Sequence, residues 1–153
     1  MSLLGQPAPD FRLHDTTCTP VDLVSYRGHR LVIAFFPAAF TGVCQKEMCT
    51  LQSTLESLGE LDAHVVGISV DAAFSNAAFR SANHIEFPLL SDYTRATVRA
   101  YGVALENFAG MSGYTVSQRA VFIIDEKGTV TYEWIAPNPG VEPNYREVQG
   151  ALA

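Results

Sequence analysis

The sequence predicts an α/β fold, a mixed central sheet flanked by helices with an added N-terminal hairpin. Solid apolar runs at Leu31 to Phe36, His64 to Val70 and Ala120 to Asp125 suit strands buried on both faces. Segments with helical apolar spacing lie between those runs, which is the alternation of an α/β sandwich. Glu126-Lys-Gly128 followed by alternating Thr129 to Trp134 reads as a Gly turn and a returning strand, so one edge is antiparallel.

In chain order, Phe11 to Val24 supplies the small hairpin, and Pro37 stops the strand that starts at Leu31. A helix over Cys44 to Leu61 follows, with Met48, Leu51, Leu55 and Leu58 forming one apolar stripe. Further helical patterns lie around Phe74 to Ala82, around Thr94 to Tyr101, and weakly from Val141 to the C-terminus. The 153 residues are 48% hydrophobic and no linker, repeat or low-complexity tract divides them, so residues 1–153 read as a single domain.

Charge and composition exclude several classes. Ten basic against 16 acidic side chains leave a net charge of -6, which offers no broad basic surface to nucleic acid. The longest apolar run, residues 31–39 with its proline, is far shorter than the ~20 residues of a membrane helix. The N-terminus has no basic and apolar secretory pattern, so a soluble cytoplasmic protein is expected. Three cysteines, Cys18, Cys44 and Cys49, are too few and odd in number for a secreted disulfide scaffold. His14, His29, His64 and His84 stand at no metal-ligand spacing from a cysteine, and a Cys44/Cys49 zinc site lacks further ligands.

The informative stretch is Phe36-Pro-Ala-Ala-Phe-Thr-Gly-Val-Cys-Gln-Lys-Glu47, a buried strand passing through a short turn into a helix. A thiol in the first turn of a helix meets free backbone N–H groups and the positive end of the macrodipole, and both favour thiolate. An ordinary cysteine titrates near ~8.5, so lowering that value is the first task of a thiol enzyme. Thr41, three residues earlier, can donate to a sulfur anion and accept from an incoming hydroxyl.

Pro37, Thr41 and Cys44 form P-x-x-x-T-x-x-C, which resembles the active-site signature of peroxiredoxins, thiol peroxidases of thioredoxin-like fold. Ala8-Pro-Asp-Phe11, Phe87-Pro-Leu-Leu-Ser-Asp92, Ala100-Tyr-Gly-Val103 and Arg119-Ala-Val-Phe-Ile-Ile-Asp125 extend the resemblance over almost the whole chain. It implies that Cys44 is the peroxidatic nucleophile, oxidised to a sulfenic acid by a hydroperoxide. It implies that Thr41 binds thiolate and peroxide, that Arg119 keeps the thiolate anionic, and that Pro37 roofs the pocket. Glu47 would orient Arg119, and no metal or organic cofactor would be required.

Cys49 is the candidate resolving residue. At about 100° per residue it points about 140° from the Cys44 face, off the core stripe. Two Cα atoms five apart on a helix lie on the order of 8.5 Å from each other, beyond the ~7 Å limit of a disulfide, so the turn must unwind first. C-x-x-x-x-C at this position resembles the bacterioferritin-comigratory (PrxQ) branch, which implies an intramolecular disulfide cleared by thioredoxin or a similar reductant. The turn Phe40 to Val43 is also similar to the one-cysteine AhpE branch, which implies reduction by an external thiol. A non-enzymatic redox sensor or interaction module is a third reading. A dithiol reductase lacks its C-x-x-C here. Cys18 reads as a structural thiol, and Phe35, Phe36 and Phe40 as core, with Phe40 at the peroxide mouth. The family implies a monomer or a homodimer.

Overall fold

The computed structural model describes residues 2–43, 45–51 and 63–152. Among the described residues, seven strands form one sheet in the order β2-β1-β5-β4-β3-β8-β9, comprising β1 (Arg12–His14), β2 (Pro20–Asp22), β3 (Arg30–Phe35), β4 (Ala63–Ser69), β5 (Leu89–Ser91), β8 (Ala120–Ile124) and β9 (Val130–Ile135). The short ribbon β6 (Ala104–Leu105) and β7 (Val116–Ser117) stands apart. β3, β4 and β5 are parallel, and β8 and β9 add antiparallel neighbours at one side. The N-terminal hairpin joins the other side, β1 running antiparallel to β5 through His14 and Ser91. Both edges are therefore antiparallel, where the sequence pointed to one.

The three long apolar runs are the three central strands, within a residue at each end. Their strict alternation sorts side chains between two cores. Leu31, Ile33 and Phe35 of β3 face one layer with Phe122, Tyr101 and Val98, while Val32, Ala34 and Phe36 face the other. The second layer is covered by the helical residues 45–51 (α1), by α2 (Ala73–Ala82) and by α4 (Tyr145–Leu152), through Met48, Leu51, Phe79, Val148 and Leu152. α3 (Ala96–Ala100) lies on the first. Met48 and Leu51 bear out the apolar stripe as far as it is described; Leu55 and Leu58 lie outside the described residues.

Local signals account for the ends. α4 starts four residues later than Val141 because Asn144 caps it, its Oδ1 accepting the N–H groups of Arg146 (3.1 Å) and Glu147 (3.2 Å). The β8–β9 turn is held by Asp125, whose Oδ1 accepts the N–H groups of Lys127 and Thr129 at 2.9 Å each, with Gly128 at φ +89°. Gly67 on β4 has another reason: a Cβ there would meet Leu89 Cδ2 at 2.6 Å, with Met48 and Phe36 at 3.4 Å. The missing side chain lets α1 sit close on the sheet, which brings the start of that helix to the ends of β3 and β8.

Candidate active site

The site lies where β3 ends. Its last residue is followed by Phe36 and buried Pro37, and residues 37–41 turn toward helical residues 42–43 and 45–51. A cavity of about 250 Å³ opens here, lined on one side by Pro37, Thr41, Gly42 and Val43 and on the other by Phe108, Pro139 and Gly140, with Arg119 in its wall. Cys44 lies outside the described residues, although it follows Val43 in the chain.

Arg119 stands between β7 and β8 and is 1% exposed. Rather than a surface ion pair, it forms a buried one: Nη1 donates to Glu47 Oε2, and Glu47 is itself fully buried in α1. Nε and Nη2 both donate to the Pro139 carbonyl, at 3.1 and 3.0 Å. A planar guanidinium gripped from two directions is held in one orientation, which suits a fixed cation in a small cavity. Burial pushes the Glu47 carboxyl up to about 7, against the opposing pull of Arg119's charge and hydrogen bond.

Thr41 donates its hydroxyl proton to the Ala38 carbonyl at 2.9 Å. Its oxygen lone pairs therefore remain for an incoming hydroxyl, and donation to a sulfur anion would require leaving Ala38. Cys49 is exposed on α1, and its Sγ lies 3.8 Å from Asn83 Oδ1 at the end of α2. Cys18 is also exposed, in a turn built by Asp15, with φ +61°. Phe40 corrects an expectation. It is 55% exposed at φ +65° and packs edge-on against Phe79, outside the cavity lining, because the left-handed backbone turns its ring away toward α2. Phe35 and Phe36 are fully buried.

Sequence reasoning missed the far wall. Pro139, Phe108 and Gly140 reach the cavity from segments distant in sequence; the turn-rich Pro137-Asn-Pro-Gly140 signals a bend but not what the bend approaches. Glu142 follows, held by Lys46 of α1 at 3.1 Å and by the Tyr145 hydroxyl at 2.8 Å, which ties this segment to the helix. Among the described residues no group of three potential ligands is arranged for a metal, and no helix is long and apolar enough to cross a membrane.

Comparison with known proteins agrees with this architecture. The AhpC/TSA family model matches residues 4–133. The chain is 39% identical over 128 residues to a Mycobacterium tuberculosis protein carrying a peroxiredoxin name, covering 82% of this chain and 80% of that one. It is 32% identical over 133 residues to peroxiredoxin Bcp of Bacillus subtilis, covering 86% and 83%. Among solved structures, peroxidoxin BcpB of M. tuberculosis superposes with TM-score 0.87 at 28% identity, over 99% of this chain and 97% of that one. With its thioredoxin-like sheet and a buried arginine walling a small cavity, the chain belongs to the AhpC/TSA family and is a peroxiredoxin, a thiol peroxidase.

Proposed function

We propose that Cys44 is the peroxidatic nucleophile, assisted by Thr41, Arg119 and Pro37, and that Cys49 resolves its sulfenic acid. The observation that carries this reading is the Arg119 guanidinium, gripped by Glu47 and Pro139 in the wall of the cavity that Val43, the residue before Cys44, also lines. The thiolate attacks the terminal oxygen of a hydroperoxide, the O–O bond breaks, sulfur becomes S–OH with the terminal oxygen's own hydrogen, and the alkoxide or hydroxide leaves and takes a proton from water to become alcohol or water. Thr41's lone pairs accept from the peroxide O–H, and the guanidinium stabilises charge on the leaving oxygen. Pro37 keeps bulk water off the sulfur.

Cys49 then attacks the sulfenic sulfur, a disulfide forms and water departs. Exposure of Cys49 supports this role, because its thiol lies clear of the core, while bringing it to Cys44 must rearrange a turn that Glu47 anchors on Arg119. A thioredoxin-type dithiol returns both cysteines to thiols, which suits a reducing compartment such as the cytoplasm. The apolar faces of Phe108, Val43 and Pro139 suit organic hydroperoxides as well as hydrogen peroxide; the related Xanthomonas campestris bacterioferritin comigratory protein is described by its alkyl peroxide reduction activity.

Intact mass after one equivalent of peroxide tests the reading. The wild-type protein should lose two hydrogens and regain them with thioredoxin, Cys49→Ser should gain one oxygen, and Cys44→Ser should not change. A sulfenic or overoxidised wild type with a free Cys49 thiol would instead favour reduction by an external thiol.

A further inference from the structure

We propose that Asp71, oriented by Ser69, is a positioning residue for peroxide reduction, holding the one peptide plane that aims the Thr41 hydroxyl. The inference rests on the reading of Cys44 as nucleophile and adds a carboxylate 27 positions further along the chain (71 − 44).

Asp71 follows β4, and its Oδ2 accepts the Ala39 N–H at 2.8 Å. Ala39 N–H and Ala38 C=O are the two ends of a single planar peptide unit. The Ala38 carbonyl is the acceptor for the Thr41 hydroxyl at 2.9 Å. Asp71 thus grips one end of a rigid plate whose other end sets the direction of Thr41's proton, and hence of the lone pairs left for substrate. A freed plate could rotate, and Thr41 would turn with it.

The carboxylate is itself held. Ser69, fully buried at the end of β4, donates its hydroxyl to the same Oδ2 at 2.8 Å. A serine has one proton, so Asn76, 3.3 Å from Ser69 Oγ, must be a donor to it rather than a second acceptor. Asn76 is completely buried and its Nδ2 is left without a partner when Oδ1 faces Ser69. Turning the amide, whose two ends are interchangeable by a flip, places Nδ2 on Ser69 Oγ as its donor. The result is a chain of donors from Asn76 to Ser69 to Asp71, whose Oδ2 also accepts the loop amide of Ala39. Two bonds tie it to β5: Ser91 donates to the Asp71 carbonyl at 2.5 Å, and the Asp92 N–H to the Ser69 carbonyl at 2.7 Å. The active-site loop is therefore referenced to the rigid ends of two parallel strands.

Stopped-flow peroxide oxidation and iodoacetamide alkylation of Cys44, measured side by side, test the proposal, because alkylation requires a thiolate but no aligned hydroxyl. Asp71→Ala should slow the peroxide reaction about 10–100-fold and leave alkylation within about twofold, the scale of a misplacement near 1 Å. Asp71→Asn keeps an oxygen for the Ala39 N–H and should recover to within about fivefold of wild type, and Ser69→Ala should fall between. A folded Asp71→Ala with the wild-type peroxide rate, or one that loses both reactions equally, overturns the proposal. Should Asp71→Ala fail to fold, Ser69→Ala decides: selective loss of the peroxide reaction supports it and an unchanged rate overturns it. If the wild-type protein and Cys44→Ser consume peroxide equally, the nucleophile assignment itself is what has failed, and this inference falls with it.

Discussion

Arg119 and Glu47 are 72 residues apart, both buried, and joined by a charge-assisted hydrogen bond across α1 and the start of β8. Removing one partner of such a pair strands the other charge in the interior, so Glu47→Ala should cost about 3–5 kcal/mol in denaturant unfolding. The pair also has a pH signature. Because burial raises the Glu47 carboxyl from 4.5 to about 7, the folded protein binds that proton more tightly than the unfolded chain. Its contribution to stability is fully present below 4.5 and is lost as pH rises through about 7. Glu47→Gln cannot titrate, so its Tm should fall less than that of the wild type between about pH 5 and about pH 8, as measured by calorimetry. A wild-type slope no steeper than the variant's would show that Arg119 holds Glu47 ionised throughout.

Among the elements, α3 shows how a short helix of five residues survives. Arg95 before it is left-handed at φ 65° and offers no side-chain cap. Asp92 supplies one from three residues earlier, its Oδ1 accepting the Thr97 N–H at 3.1 Å and its Oδ2 the Val98 N–H at 2.8 Å. Both are donors that the first turn of a helix would otherwise leave unpaired. Asp92→Ala should destabilise the protein by about 1–2 kcal/mol in urea unfolding, whereas Asp92→Asn should lose less because one oxygen still accepts. The first turn of α1 is different in kind. Lys46 is 73% exposed, so its bridge to Glu142 contributes little, whereas buried Glu47 anchors that turn on Arg119, and a Cys44–Cys49 disulfide would have to rearrange the turn against that anchor.

For the molecule as a whole, the cavity is a product of tertiary contact. Pro37 and Thr41 come from the loop after β3, Arg119 from the approach to β8, Phe108 from the turn after β6, and Pro139 from the segment before α4. An anionic sulfur in that company would owe its low pKa to folding, beyond what a helix N-terminus supplies. Iodoacetamide labelling of Cys44 at about pH 5.5 should therefore be fast in buffer and fall to the rate of an ordinary thiol across the urea transition, tracked by peptide mass. Labelling that stays fast in the unfolded chain would remove Arg119 and the cavity from the account.

The sheet's central strands, the helical stripe of Met48 and Leu51, the Gly128 turn and the order P-x-x-x-T-x-x-C were all legible in the chain, because burial periodicity and turn chemistry act over a few residues. β5, three residues long, carries no period of its own and takes its strand from β4. The hairpin at Phe11 to Val24 was readable, but its attachment to β5 was not, since strand pairing depends on which edge the fold leaves open. Glu47's partnership with Arg119 followed only from family resemblance; its burial, the grip of Pro139, the turning away of Phe40 and the hold of Asp71 on Ala39 were decided by tertiary structure. Local sequence sets which residues are able to do the chemistry, whereas desolvation and the meeting of groups distant along the chain arise only when the two cores close on the sheet.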